Sequence, residues 1–290
     1  MRATGDLKDA NFPMDAEGRV YHLTLKRGEL ANRVLVVGDP QRAELLSVLF
    51  DDQSKVFKRI SNRGFTTYTG TISNVPISIM AIGMGLAMID FMIREARHIV
   101  DGPMVIIRLG TCGTPRDDIG IGTVVVSQNS AALTVNYEAF INGNSEKSHY
   151  NLSSMIPADK DVTEELYNNL KSNITGSPVA LTDDVTTDTF YSSQGRIDDQ
   201  FDDHNGTLID QIVSRYASVG SIQMETFHLF HLARLSRGSI KAAACAIVLA
   251  QRRVNSFLDN DKKHHLEKTA GKACLDTLIH WNPSNPQLKL

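Results

Sequence analysis

Short runs of β-branched and aliphatic residues recur along this chain, and longer segments with helical periodicity separate them. The runs are residues 34–37, 77–82, 105–109, 123–126, 179–181 and 240–249. Strands that alternate with helices are typical of parallel sheets, because each crossover helix covers a face of the sheet. The pattern therefore predicts an α/β fold with a mixed, largely parallel sheet flanked by helices.

The helical segments have the length and apolar spacing of surface helices. They are residues 41–50, 86–100, 161–171, 207–216, 226–235 and 262–280. Neither an internal repeat nor a linker rich in proline or serine divides the sequence, so we predict a single domain over residues 1–290. The first ~15 and last ~9 residues are expected to be flexible, and residues 136–157 are expected to form a long loop or an insertion.

Composition excludes several classes of partner. The formal net charge is −3, from 30 basic and 33 acidic residues, which gives no positive field for nucleic acid or an anionic membrane. Three cysteines without CxxC spacing argue against a disulfide framework and a zinc site. The N-terminus lacks the apolar core of a signal peptide. We expect a cytoplasmic protein that binds a small molecule or another protein, and no metal.

Two strand ends carry residues suited to an anion. Ligands of open α/β sheets bind beyond the carboxyl ends of the strands. Gly38 follows the first run and precedes Arg42, with an Asp-Pro pair between them that can open a helix. An ordinary strand-to-helix turn is the alternative. Arg108 lies in an apolar strand, where its charge requires either a buried carboxylate or a bound phosphate, and Thr111 follows it.

Other positions carry residues suited to a sugar and a base. Glu225 follows Met224 among apolar residues, where it could bind two sugar hydroxyls or cap the next helix. Gln194 can both donate and accept a hydrogen bond, as a base edge with carbonyl and N–H groups requires, and Arg196 lies two residues beyond it. Arg63 is a weaker basic candidate, since a solvated loop arginine is the more common case.

Four motifs together resemble those of one family. Their sequences are GDPQR at 38–42, RLGTCG at 108–113, DTFY at 188–191 with Gln194 and Arg196, and QME at 223–225. In order and spacing they resemble the uridine-cleaving branch of the nucleoside phosphorylase family, over roughly residues 20–280. The resemblance implies the nucleoside phosphorylase fold, whose sheet is distorted towards a barrel. It also implies an enzyme that cleaves uridine with phosphate to give uracil and ribose 1-phosphate.

The resemblance also implies a role for each site residue, with no cofactor beyond the substrate phosphate. Phosphate would contact Gly38, Arg42, Arg63, Arg108 and Thr111, and ribose would contact His22, Met224 and Glu225. Uracil would contact Cys112, Gly113, Phe190, Gln194 and Arg196. The residues expected to act in catalysis are Arg108, Gln194, Arg196 and Glu225. The protein is expected to be a homodimer with shared active sites, into which His22 and Arg63 reach from the neighbouring subunit.

Four residues depart from the pattern of the family. Gln223 stands where glutamate is usual, Cys112 where threonine or serine is common, and Ala250-Gln251 where an apolar residue and asparagine are common. Two alternatives therefore stay open: a purine nucleoside phosphorylase of the same fold, and a non-catalytic protein that binds nucleosides. The purine relatives carry an aspartic acid near position 251 as a general acid, a role that Gln251 cannot take.

Overall fold

The computed structural model describes residues 7–141 and 148–281. The strands are β1 Arg33–Val37, β2 Phe57–Ile60, β3 Thr66–Ile72, β4 Val75–Ala81, β5 Met104–Thr114, β6 Val124–Val135, β7 Tyr150–Leu152, β8 Ile156–Pro157, β9 Val179–Thr187, β10 Val219–Gln223, β11 Ile240–Gln251 and β12 Ser256–Phe257. The helices are α1 Pro40–Ser47, α2 Leu86–Ile99, α3 Tyr137–Ile141, α4 Lys160–Asn173, α5 Leu208–Arg215, α6 Thr226–Leu235 and α7 Asn260–His280.

The strands form one twisted sheet that closes on itself in the middle. Its order is β12-β11-β6-β9-β10-β5-β1-β4-β3-β2, and β11 also pairs with β5. That extra pairing closes β5, β11, β6, β9 and β10 into a five-stranded barrel. The pairs of β5 with β1 and with β11, of β1 with β4, and of β9 with β6 and with β10 are parallel. The predicted sheet, mixed, largely parallel and barrel-like, is confirmed.

Two apolar clusters fill the space on either side of the sheet. Leu35 and Val37 of β1 belong to the cluster that α1, α4 and α7 cover, whereas Val34 and Val36 belong to the cluster under α2 and α6. This alternation follows from the two-residue period of a strand. Each aliphatic side chain that folding removes from water contributes about 1.5–3 kcal/mol.

The sequence located the main elements but not all their limits. All six predicted helices form, with ends within three residues of the expected ones. The six predicted strands form too, but β5, β6, β9 and β11 extend beyond the apolar runs into polar residues. Those extensions have partners inside the barrel, since Ser130 of β6 bonds to Asp184 of β9 at 2.6 Å. Short strands with glycine or mixed polarity, such as β2, β3 and β10, gave no clear pattern.

The prediction of a long loop over residues 136–157 was wrong in part. Helix α3 and strands β7 and β8 lie within it, and both strands pair antiparallel with β6. Leu152 pairs with Leu133 and packs on the same apolar cluster, which holds this segment against the sheet. Residues 142–147 of the segment, and residues 1–6 and 282–290 of the ends predicted to be flexible, lie outside the described residues. None of the described helices is both long enough and apolar enough to cross a membrane.

Candidate active site

One cavity of about 420 Å³ lies where β1, β5, β9 and β10 end, as the rule for α/β sheets predicts. The structure brings most of the predicted site residues together around it. The predicted residues that line it are Gly38, Arg42, Arg108, Thr111, Cys112, Gly113, Phe190, Gln194, Arg196, Met224 and Glu225. The cavity is thus made by side chains far apart in sequence, which the closed sheet places at one edge.

The partner of Arg108 in the structure is a carboxylate. Arg108 follows Met104 and Ile106 on the face of β5 that α2 and α6 cover, and its Nη2 donates to Glu225 at the start of α6. The second oxygen of Glu225 accepts from the Gly85 N–H at 2.8 Å. Of the two expected partners, the buried carboxylate is therefore present. The Nη1 of Arg108 is buried and has no hydrogen-bond partner among the described residues, so it remains available to a bound anion.

Gly110 allows this arginine to fold back over its own strand. A Cβ at position 110 would lie 2.0 Å from Nη1 and 2.6 Å from Cζ of Arg108. No side chain fits at that distance, because real Cβ contacts start above 3 Å. A glycine at position 110 is thus required by the conformation of the Arg108 side chain.

Arg42 projects from α1 towards the cavity and is held by a residue that the sequence analysis missed. Asp39 caps the helix by accepting from the Gln41 N–H at 2.9 Å, which orients the first turn. Arg42 then donates from Nε at 3.0 Å and from Nη2 at 2.8 Å to Glu267 of α7. Its Nη1 donates to the Leu109 carbonyl at 3.3 Å. The only sequence signal for Glu267 was that an acidic residue falls on the buried face of α7.

The turn after β9 brings together the pair predicted to read the base. Arg196 Nη2 donates to Gln194 Oε1 at 3.3 Å, and the guanidinium lies 3.9 Å from the centre of the Phe190 ring. Gln194 Nε2 donates to the Thr187 hydroxyl at 3.1 Å. Burial, followed by the charge of Arg252, lowers the pKa of Arg196 to about 10. Arg196 is thus charged at neutral pH and faces a cavity that can take a partial negative charge.

Arg252, which sequence reasoning also missed, supports this turn from the strand β11 side. It donates to the carbonyls of Gln194 at 2.9 Å and Gly195 at 3.1 Å. Its side chain also passes 3.3 Å from where a Cβ of Gly113 would lie. One arginine thereby joins two walls of the predicted base pocket. Arg252 and Arg253 lie in a polar turn, where no periodic pattern distinguishes one arginine from another. The sequence therefore gave no reason to assign Arg252 to the site.

Gln251 is turned away from the cavity and closes the turn before β12. Its Oε1 accepts from the Arg253 and Val254 N–H groups at 2.6 and 3.0 Å, and its Nε2 donates to the Arg116 carbonyl at 3.0 Å. The neighbouring Ala250 lines the cavity instead. No proton donor for a base is therefore offered by position 251.

His22 and Arg63 lie outside the cavity of their own chain, but close to each other. Arg63 is exposed, and its Nη2 donates to the Tyr21 hydroxyl at 2.9 Å. The His22 ring stacks on Phe91 at 3.9 Å, and its Nδ1 lies 2.6 Å from Glu95 Oε1. The two residues predicted to act from a neighbouring subunit thus share one surface. Among residues 7–141 and 148–281, no group of three or more His, Cys, Asp or Glu could hold a metal ion.

Comparison with known proteins assigns the class. The model of the phosphorylase superfamily matches residues 32–280. This protein belongs to the phosphorylase superfamily, as the four motifs predicted.

Solved structures and curated relatives agree with that assignment. A uridine phosphorylase of the oomycete Phytophthora capsici superposes with a TM-score of 0.91 and 36% identity, over 96% of this chain and 100% of that one. A Trypanosoma brucei nucleoside phosphorylase shares the fold, with a TM-score of 0.78 at 21% identity over 93% of this chain and 100% of that one. Uridine phosphorylase of Thermococcus kodakarensis is 29% identical over 86% of this chain and 83% of its own. A DeoD-type purine nucleoside phosphorylase of Oceanobacillus iheyensis is 26% identical over 73% and 80%.

Proposed function

We propose that this protein is a uridine phosphorylase, which transfers the ribosyl group of uridine to phosphate and releases uracil. The observation that carries the proposal is the set of residues that line this cavity. It combines arginines at one wall, a buried carboxylate beside them, and an amide-guanidinium pair at the other wall. The similarity to uridine phosphorylases at 36% and 29% identity supports the same substrate.

Phosphate would bind between the two arginines near β1 and β5. Arg108 offers its free Nη1, and Thr111 and the backbone at Gly38 lie on the same wall. Phosphate is ionised at neutral pH and needs no general base. Glu225 is positioned to accept from ribose hydroxyls, which would hold C1′ near the phosphate. Most of the rate enhancement would then come from orientation of the two reactants.

The bond that breaks joins C1′ to N1 of uracil, and the bond that forms joins C1′ to a phosphate oxygen. The electron pair of the broken bond passes to the uracil ring and its O4. A charged Arg196 and the Gln194 amide would stabilise that negative charge, as donors do in an oxyanion hole. Removing one such donor typically costs about 100- to 1000-fold in kcat.

A purine substrate is supported only by the similarity of this chain to purine nucleoside phosphorylases, and not by the residues of the cavity. A purine leaves most readily when its N7 is protonated, which requires an acid at the base pocket. The Gln251 side chain bonds to backbone groups of Arg116 and Arg253, and Ala250 lines the cavity in its place. The uridine activity therefore explains the cavity better.

The proposal includes a homodimer with shared sites in a reducing, cytoplasmic setting. His22 and Arg63 are the predicted ligands that do not line the cavity of their own chain, and they lie on one surface. All three cysteines are free thiols. A second subunit would have to present that surface to the cavity mouth.

The deciding experiment is uridine turnover with and without phosphate. We expect free uracil and ribose 1-phosphate only when phosphate is present. Equal cleavage without phosphate would make the protein a hydrolase, and binding without turnover would make it a nucleoside-binding protein. Inosine in place of uridine tests the purine alternative.

A further inference from the structure

Asp184 is a completely buried carboxylate, and none of its hydrogen-bond partners in the described part of the chain is a cation. It lies in the middle of β9, inside the barrel, and does not line the cavity. Four side chains donate to it: Ser130 at 2.6 Å, Ser221 at 2.7 Å, Thr186 at 2.8 Å and Gln223 at 3.0 Å. Removing a carboxylate from water costs free energy of desolvation, and the four donors offset part of that cost.

The Asp184 contact fixes the orientation of the Gln223 amide. Because a carboxylate oxygen only accepts, the NH₂ group of Gln223 must face Asp184 Oδ2. The amide oxygen is then directed at the backbone N–H of Glu225, which it accepts at 2.9 Å. A chain of two hydrogen bonds thus runs from Asp184 to the residue that meets Arg108 and faces the ribose.

A second branch of the same network reaches the first turn of α6. Thr186 donates to Asp184 and accepts from the Phe227 N–H at 2.8 Å. The backbone at both Glu225 and Phe227 is therefore tied to Asp184, one residue on each side of the helix start. Helix N-termini have unpaired N–H groups, and these two are satisfied by the barrel interior.

We propose that Asp184 is a positioning residue that orients the Gln223 amide and thereby holds Glu225 in place for the ribose. The proposal rests on the proposed function of the cavity. It requires an uncharged donor at position 223. A glutamate there would place two carboxylates about 3 Å apart in a buried site, and one of them would have to take a proton. The glutamine at this departure from the family pattern is thus matched to the aspartate on the neighbouring strand.

The test is a double-mutant cycle between Q223E and D184N, read by uridine kinetics and by thermal unfolding. Q223E should raise the KM for uridine at pH 8 by about tenfold or more, with recovery towards pH 6, while the KM for phosphate changes little. In D184N/Q223E the asparagine can donate to the new carboxylate. That variant should regain uridine affinity at pH 8.

Thermal unfolding gives a readout that does not depend on activity. The shared proton raises the pKa of the carboxylate pair in folded Q223E above its unfolded value. The stabilisation that the shared proton gives to folded Q223E is thus present at low pH and lost as pH rises. The Tm of Q223E should fall between pH 5 and 8 relative to the parent, and D184N/Q223E should not show this fall. D183N/Q223E has the same net charge, but Asp183 bonds to Asn129 and Ser218 instead of Gln223, so it should behave like Q223E.

Three outcomes would overturn the proposal. The first is a Q223E protein with the uridine KM and pH profile of the parent. The second is a Q223E defect that D183N relieves as well as D184N does, because the cause would then be charge in the cavity. The third concerns Q223L, which serves if Q223E does not fold. It removes the hydrogen bonds of Gln223 to Asp184 and to the Glu225 N–H without adding charge, so an unchanged KM for uridine in Q223L would contradict the proposal. A parent that does not cleave uridine would reject the function, while the pH dependence of Tm would still test the pair.

Discussion

Arg42 and Glu267 form a buried pair in which two guanidinium nitrogens, Nε and Nη2, donate to a single carboxylate oxygen at 3.0 and 2.8 Å. The side chains retain only 5% and 4% of their exposure. The pair joins the first helix after β1 to α7, which begins at residue 260. Arg42, which is expected to bind phosphate, is thus held in place by Glu267, a carboxylate from a distant part of the chain.

Replacing Glu267 with Gln should weaken phosphate binding more than uridine binding. The amide keeps the shape but leaves the Arg42 charge without its partner, and breaking one side of a buried pair costs about 3–5 kcal/mol. We expect a lower Tm and a KM for phosphate raised about tenfold, with the KM for uridine nearly unchanged. Glu164→Gln, an exposed site on α4, is the control and should match the parent. An unchanged phosphate KM in a folded Glu267→Gln protein would contradict the assignment of Arg42.

Gly110→Ala should strongly reduce activity by displacing Arg108. The new Cβ would occupy space 2.0 Å from Nη1, so the guanidinium must leave its position beside Glu225. We expect a loss in kcat/KM of about 100-fold or more and destabilisation of about 1–3 kcal/mol, as overpacking in a core costs. Gly120→Ala is the control, since nothing lies within 4 Å of its Cβ. Steady-state kinetics and urea unfolding of both variants decide the matter.

Gln194→Leu should reduce turnover of uridine while sparing phosphate. Leucine keeps much of the volume but removes the donor and the acceptor, and each unmade hydrogen bond costs about 1–3 kcal/mol. The KM for phosphate, which depends on Arg42 and Arg108, should change little. Gln200→Leu, on the exposed surface beyond the same turn, should have no effect. Parent rates in Gln194→Leu would mean that the base pocket lies elsewhere.

Two inactive variants should restore activity when mixed. Arg63→Ala removes a residue expected to serve the neighbouring site, and Glu225→Ala removes one that serves its own cavity. A hybrid dimer then contains one intact site, so subunit exchange should recover up to about half of the activity of the parent dimer per hybrid. Light scattering and labelled subunits verify exchange. Exchange without recovery would argue against a shared site.

Cys112 should resist thiol reagents in the folded protein despite lining the cavity. Burial is the main cause that raises the pKa of its thiol, with the charge of Asp184 next, so the reactive thiolate is scarce at neutral pH. We expect slow labelling by iodoacetamide from pH 6 to 8, and fast labelling of all three cysteines in urea. Mass spectrometry identifies the modified residue. Rapid modification of Cys112 in the native protein would contradict this environment.

The sequence by itself determined the class of fold and most of the cavity lining. Periodicity is a local property, so helices such as α6 could be placed to the residue and the strands β1 and β4 nearly so. The rule that ligands meet strand ends then directed attention to Gly38, Arg108 and Glu225. Gly38 and Arg108 line the cavity because β1 and β5 run parallel, and Glu225 reaches it because the end of β10 pairs with β5.

Only the tertiary structure decided which groups meet across the chain. Closure of β11 onto β5 formed the barrel, and this depends on pairing between strands far apart in sequence. Glu267 meets Arg42 and Gln223 meets Asp184 over separations of 225 and 39 residues. Helix and strand periodicity specify which face a residue lies on but not which distant side chain it contacts there. The partners of buried charges are set by packing, so they appear only when the elements are assembled.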